Sequence, residues 1–135
     1  PRSTLFPYTT LFRSVRTFLD PVDVLYTLTE IYEFASRLAG RGVLGATSSI
    51  DISLIGTRDR VLWITDPRRA WLGFYRCTQE DLVRPTRRPT AVELIEGARD
   101  LALEAALWFY ERFGWEDPPV TSLRDDQTRF LARAI

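Results

Sequence analysis

Eight arginines fall between Thr57 and Arg88: Arg58, Arg60, Arg68, Arg69, Arg76, Arg84, Arg87 and Arg88. Four acids, Asp59, Asp66, Glu80 and Asp81, oppose them, so this stretch carries +4 while the rest of residues 15–135 carries −6. Trp71, Phe74 and Tyr75 interleave with Arg68, Arg69 and Arg76. Guanidinium groups grip phosphate oxygens and aromatic rings stack on bases, so this mixture suits contact with nucleic acid. The candidate contact residues are Arg58, Arg60, Arg68, Arg69, Arg76, Arg87 and Arg88. A solvated edge is the competing reading. Arg58 and Arg60 flank a turn, charge on an edge strand blocks pairing with other chains, and Arg69 near Asp66 can simply brace the turn.

Other reactive groups are sparse. The chain contains no His, which removes the usual general base, the commonest metal ligand, and Ser-His-Asp or Cys-His nucleophiles within this chain. Cys77 follows Arg76, but without a base it reads as a small packing residue, and a lone Cys forms no internal disulfide. Gly40-Arg41-Gly42-Val43-Leu44-Gly45 fits a dinucleotide-binding glycine pattern. That chemistry needs the turn to follow a strand and open a helix, whereas here it follows a helix, so it reads as a helix terminator and loop. Glu30 with Glu33, and Asp125 with Asp126, offer oxygens to a hard cation, but neither pair has the spacing of a cation-binding loop. No catalytic residue, metal or cofactor is assigned.

A second concentration of side chains is apolar. Trp108, Phe109, Tyr110, Phe113 and Trp115 crowd the end of a long helical segment. Three consecutive helical residues point to three different sides. Either this surface meets a missing N-terminal domain or another subunit, or the sheet and first helix cover it completely.

The elements that must position these groups follow from caps and periodicity. Asp20 is a candidate N-cap, Pro21 suits the first helical position, and Leu25, Leu28, Ile31, Tyr32, Ala35 and Leu38 recur at helical spacing up to Gly40. This predicts a helix over 21–39. Ile50, Ile52 and Leu54 alternate with Asp51 and Ser53, Gly56 to Asp59 forms a turn, and Arg60 to Thr65 returns, which predicts a hairpin. A further extended segment falls in 70–75, and Pro85 and Pro89 bracket an Arg-rich connector. Thr90 and Glu93 form a capping box before a helix from Ala91, which Gly97 divides and Gly114 ends. After Pro118-Pro119, Thr121 or Ser122 caps a last helix on Leu123, Phe130, Leu131 and Ala134. The expected fold is α+β: one N-terminal helix, a small antiparallel β-hairpin or sheet, then two to three C-terminal helices packed on it.

The first fourteen residues, Pro1 to Ser14, stand apart. One back-translation of them, ending on a codon boundary, resembles the universal adapter used in short-read DNA sequencing. Residues 1–14 are therefore expected to be a non-native segment with no consistent place in the core, and 15–135 a single α+β domain from a longer protein. Residues 15–135 hold 16 basic and 18 acidic residues. Every basic residue is Arg, and Lys, Asn and Met are absent, a bias expected of a GC-rich bacterial genome. The missing Met fits a truncated start. No apolar run approaches the roughly 18–20 residues that span a bilayer, so a cytoplasmic location without membrane contact is expected.

Three stretches carry a family resemblance. They are Phe18 to Pro21 running into Leu28 to Leu38, then Asp66-Pro67-Arg68-Arg69, then Phe109 to Trp115. Together they resemble the region that follows the Schlafen/AlbA-like domain in bacterial proteins described as DNA- or ATP-binding, over most of residues 15–127. The resemblance implies an accessory module beside a nucleic-acid-binding domain, in a regulator or defence protein, and carries over no catalytic residue. The expected function is a non-catalytic interaction module of a nucleic-acid-associated protein. The alternatives are part of an enzyme whose catalytic groups lie outside the chain, and a small-ligand regulatory pocket using Trp63, Arg69 and Tyr75.

Overall fold

The computed structural model describes residues 18–66, 68–69 and 75–134. The adapter-like segment 1–14, Pro67, and the aromatic candidates Trp71 and Phe74 lie outside the described residues. In chain order the elements are β1 (Phe18–Leu19), α1 (Pro21–Gly40), β2 (Ser53–Ile55), β3 (Val61–Leu62), β4 (Asp81–Val83), α2 (Ala91–Arg112) and α3 (Val120–Ala134). This is the α+β arrangement that the sequence implies.

The two long helices start where their caps place them. The Asp20 carboxylate accepts from the Val22 N–H at 2.8 Å and Pro21 opens α1, where its missing donor costs nothing. At the other end α1 includes Gly40, and the left-handed residue is Gly42, at φ 70°. Gly42 N–H reaches Ala39 C=O and Val43 N–H reaches Leu38 C=O, closing the last turn. The Thr90–Glu93 capping box opens α2 as expected, with both reciprocal bonds formed. Gly97 leaves helical geometry (φ −131°, ψ 26°) and kinks α2, and Gly114, at φ 91°, stops it. The start of α3 corrects the expectation of a Thr121 or Ser122 cap. The helix begins at Val120, with Leu123 N–H donating to Pro119 C=O, so both hydroxyl residues lie inside its first turn.

The β structure also differs from the expected pairing. β2 pairs antiparallel with β4, with Leu54 opposite Leu82, and β3 pairs in parallel with β1. Further bridges join Thr47 to Thr90, Ile50 to Arg87 and Val61 to Arg76. These pairings describe one long, irregular two-armed ribbon, Thr47–Leu62 against Tyr75–Thr90. Between the Ile50–Arg87 and Ser53–Val83 pairs the second arm has one extra residue, and between Ile55–Asp81 and Val61–Arg76 the first arm has one. Each extra residue is a bulge that bends the ribbon.

The Gly56–Asp59 turn is real: both residues have positive φ, and Arg60 N–H donates to Thr57 C=O. It does not close a hairpin, because both flanks bond to the same distant arm. Thr57 N–H donates to Glu80 C=O, Asp59 N–H to Cys77 C=O, and the buried Thr57 hydroxyl to Gln79 C=O at 2.8 Å. The supposed connector around Pro85 and Pro89 is thus the second arm of the ribbon.

The ribbon has two unlike faces. Ile50, Ile52, Leu54, Leu62, Tyr75, Cys77 and Leu82 turn toward the helices, while Asp51, Ser53, Ile55, Trp63, Arg76, Val83 and Arg88 are exposed. The period of two along each arm produces this split. Beneath it lie Leu25, Leu28 and Tyr32 of α1, Leu101, Ala105 and Phe109 of α2, and Leu123 of α3. Removing these side chains from water is the main source of stability.

Candidate functional site

Three polar ties fix the elements that carry the candidate residues. Asp20 Oδ2 accepts from Thr65 N–H at 3.1 Å and from the Thr65 hydroxyl at 2.7 Å, so the cap of α1 also holds the chain after β3. Arg69 donates to Asp126 at 3.0 Å, which secures the same loop to α3. The buried Gln127 amide donates to the Thr29 hydroxyl and to Arg99 C=O, joining all three helices. The sequence offers Asp126 only as half of a carboxylate pair and assigns Gln127 no role; their tertiary partners Arg69 and Thr29 reveal what they do.

The candidate arginines divide into two groups. Arg84, 5% exposed, donates to Glu104 at 2.9 Å and to the Tyr32 hydroxyl at 3.3 Å. Arg87 lies 3.1 Å from the same carboxylate, with its Nε out of line for a hydrogen bond. Arg69 is bound to the buried Asp126, and so is Arg129. Arg69 and Arg87, proposed from sequence as contact residues, are therefore engaged within the fold. The Arg69 side chain reaches Asp126 on α3 and not Asp66; Arg68 is the residue that grips Asp66, at 3.1 Å, and braces the turn.

The remaining group stands at the surface. Arg68 is 88% exposed, Arg58 makes an exposed 3.3 Å pair with Glu80, and Arg76 and Arg88 are exposed on the outer ribbon face. Arg60 is half-buried, donating from Nε to Gly56 C=O. The outer face carries acids too, namely Asp51, Glu80 and Asp81. The bond from Arg68 holds the Asp66 carboxyl below the usual carboxylate range, and Asp66 in turn raises Arg68. Both groups stay charged at every physiological pH.

The aromatic cluster is where the structure most changes the reading. Phe109, Tyr110, Phe113 and Trp115 are buried within this chain, so they form no accessible face for a partner. Trp115 stacks on Tyr75 at a 5.8 Å centroid distance, and the Tyr110 hydroxyl donates to Pro21 C=O. Trp108 is half-buried, edge-on to Phe109 and covered by the Arg112 guanidinium 4.0 Å above its ring. Tyr75 of the ribbon and Pro21 of α1 thus reach the surface that looked surplus. Burial pushes the Tyr110 phenol well above its ordinary value, with the charges of Asp20 and Asp126 adding to the effect.

One open cleft, of about 940 Å³, lies between the start of α1, the 64–69 loop and α3. Asp23, Tyr26, Arg68, Arg129 and Arg133 line it, above the buried Asp20 and Asp126. Burial and the neighbouring Asp20 raise the Asp23 carboxyl. Trp63 and Tyr75, suggested with Arg69 as a ligand pocket, lie on opposite faces of the ribbon and are not brought together there. Cys77 is buried, with Sγ 3.5 Å from Gln79 C=O, as suits a packing residue. Among the described residues no group of three or more His, Cys, Asp or Glu could hold a metal ion, and no helix is long and apolar enough to cross a membrane. No protein-family model matches this chain, and neither curated proteins nor solved structures match it.

Proposed function

We propose that this chain is a non-catalytic accessory module of a larger bacterial, cytoplasmic, nucleic-acid-associated protein, and that the outer face of its β-ribbon contacts nucleic acid. The observation that carries the reading is the fate of the arginines. Three of the eight are engaged by Glu104 and Asp126, while Arg58, Arg76 and Arg88 stay exposed along the ribbon. Exposed ion pairs such as Arg58–Glu80 contribute little in water, so exchanging the carboxylate for a phosphate costs little. The resemblance to the region following Schlafen/AlbA-like domains supports the same assignment.

Fluorescence anisotropy of the full chain with labelled oligonucleotides tests it. Combined Arg58→Ala, Arg76→Ala and Arg88→Ala substitutions should weaken binding to a similar degree for every sequence. Undetectable binding at low salt, or unchanged binding by the triple variant, refutes the assignment.

The cleft beside Tyr26 favours a second reading, a small-ligand regulatory module. Mixed charge at its mouth, from Asp23, Arg68, Arg129 and Arg133, suits a zwitterionic ligand. A thermal-shift screen of amino acids and related zwitterions tests this, since a ligand of the native state raises the melting temperature.

A further inference from the structure

We infer that the cleft between α1, the 64–69 loop and α3 binds a basic amino acid, with Asp23 taking its α-ammonium, Arg133 its carboxylate and Asp125 the cation at the end of its side chain. This rests on the second reading above, a small-ligand module, and names the ligand. Helices α1 and α3 run antiparallel beside the cleft. Gln127 bonds to Thr29 at 3.0 Å, and one turn further on Phe130 stacks on Tyr26 with ring centroids 4.3 Å apart. The same three-residue step on each helix sets Asp23 opposite Arg133. Both line the cleft and both are exposed. They form no ion pair with each other. Among the described residues Asp23 has no polar partner, and Arg133 makes only a 3.4 Å bond from Nε to Arg129 C=O of its own helix.

The other charges of the cleft are already matched. Arg68 is held by Asp66, Arg69 and Arg129 share Asp126, and Asp20 takes its bonds from Val22 and Thr65. Asp125 is the remaining charged group, exposed on α3 and without a partner among the described residues. The cleft thus leaves two carboxylates and one guanidinium uncompensated. A neutral zwitterion answers one of each, and an anion meets an excess of negative charge. A basic amino acid carries the full complement, two cations and one carboxylate. Asp125 and Arg133 are eight positions apart on one helix, a rise of about 12 Å. The long Arg133 side chain leans toward the helix N-terminus, and so toward Asp125, which shortens the span a ligand must cover. The opening of about 940 Å³ leaves room for the whole molecule. Burial, and then the charge of Asp20, hold the Asp23 carboxyl above its ordinary range with no cation to offset them. A ligand ammonium supplies that cation.

Isothermal titration calorimetry of the full chain with L-lysine, L-norleucine and cadaverine separates the contacts, because L-norleucine lacks the terminal ammonium and cadaverine lacks the carboxylate. L-lysine should bind more tightly than either by roughly tenfold or more, the loss expected for one hydrogen bond between charged groups. Asp125→Asn should abolish the advantage of L-lysine over L-norleucine, and Arg133→Gln its advantage over cadaverine. Both side chains are exposed, so neither substitution disturbs the fold. Equal measurable affinity for L-lysine and either analogue, or a preference for L-lysine over L-norleucine that Asp125→Asn leaves unchanged, overturns this inference. So does binding of another zwitterion from the thermal-shift screen with none of L-lysine. Each of these results leaves the small-ligand reading standing, whereas failure of every compound to bind overturns that reading itself.

Discussion

Asp20 and Thr65, forty-five residues apart, meet through two hydrogen bonds to a single carboxylate oxygen, one from the Thr65 backbone at 3.1 Å and one from its hydroxyl at 2.7 Å. The other oxygen caps α1. One buried side chain therefore starts the first helix and anchors the chain that follows β3. Asp20→Ala should lower the unfolding free energy by about 2–3 kcal/mol, combining a lost cap with unmade bonds to Thr65. Thr65→Val, which removes only the hydroxyl bond, should cost about 1 kcal/mol. Urea denaturation of the two variants checks the ratio.

Gln127 is the comparable tie among the helices. Gln127→Leu keeps the volume but leaves Arg99 C=O without its side-chain donor, while the Thr29 hydroxyl still donates to Leu25 C=O. The expected loss is about 1–2 kcal/mol. An unchanged denaturation midpoint would show that the bond contributes nothing net.

Two ion pairs of the ribbon should behave differently. Glu104→Ala leaves the buried Arg84 guanidinium with only Tyr32 and should cost about 2 kcal/mol, less than a fully enclosed pair because Glu104 is itself half exposed. Glu80→Ala, which breaks the exposed pair with Arg58, should cost less than about 0.5 kcal/mol. Thermal melts of the two variants under one buffer separate these cases.

Alkaline pH should single out Tyr110. Its buried phenol is held above its ordinary value in the folded chain, so the unfolded chain ionises first. Below the ordinary tyrosine value the contribution is constant, and above about pH 10 stability should fall as pH rises, because the folded state retains a proton that the unfolded state has lost. Tyr110→Phe should be less stable at neutral pH, having lost the bond to Pro21 C=O, yet show a shallower decline at high pH. Parallel slopes for the two proteins would contradict this.

What the sequence revealed depended on how local each signal was. Asp20, Thr90 with Glu93, Gly97 and Gly114 act within a turn of themselves, and they marked both long helices correctly. The turn at Gly56–Asp59 was visible for the same reason. Its consequence was not, because the partner arm begins at Tyr75 and contains Pro85 and Pro89, which mimic a loop. The five aromatics around α2's end looked too many for one core because their covers, Tyr75 and Pro21, lie far away in sequence. The arginine surplus was read correctly as a count but not as a surface, since Glu104 and Asp126 absorb Arg84, Arg87 and Arg69 from other elements.

The most direct test of the central claim is the salt dependence of oligonucleotide affinity, measured by anisotropy between about 50 and about 200 mM salt. If Arg58, Arg76 and Arg88 each exchange their present contacts for a phosphate, the logarithm of oligonucleotide affinity should fall against the logarithm of salt with a slope of about −2 to −3. The Arg58→Ala, Arg76→Ala, Arg88→Ala variant should flatten that slope to about −1 or less. A chain that shows no binding at the lowest salt, or a slope that the triple variant leaves unchanged, would contradict the assignment of the ribbon face to nucleic acid.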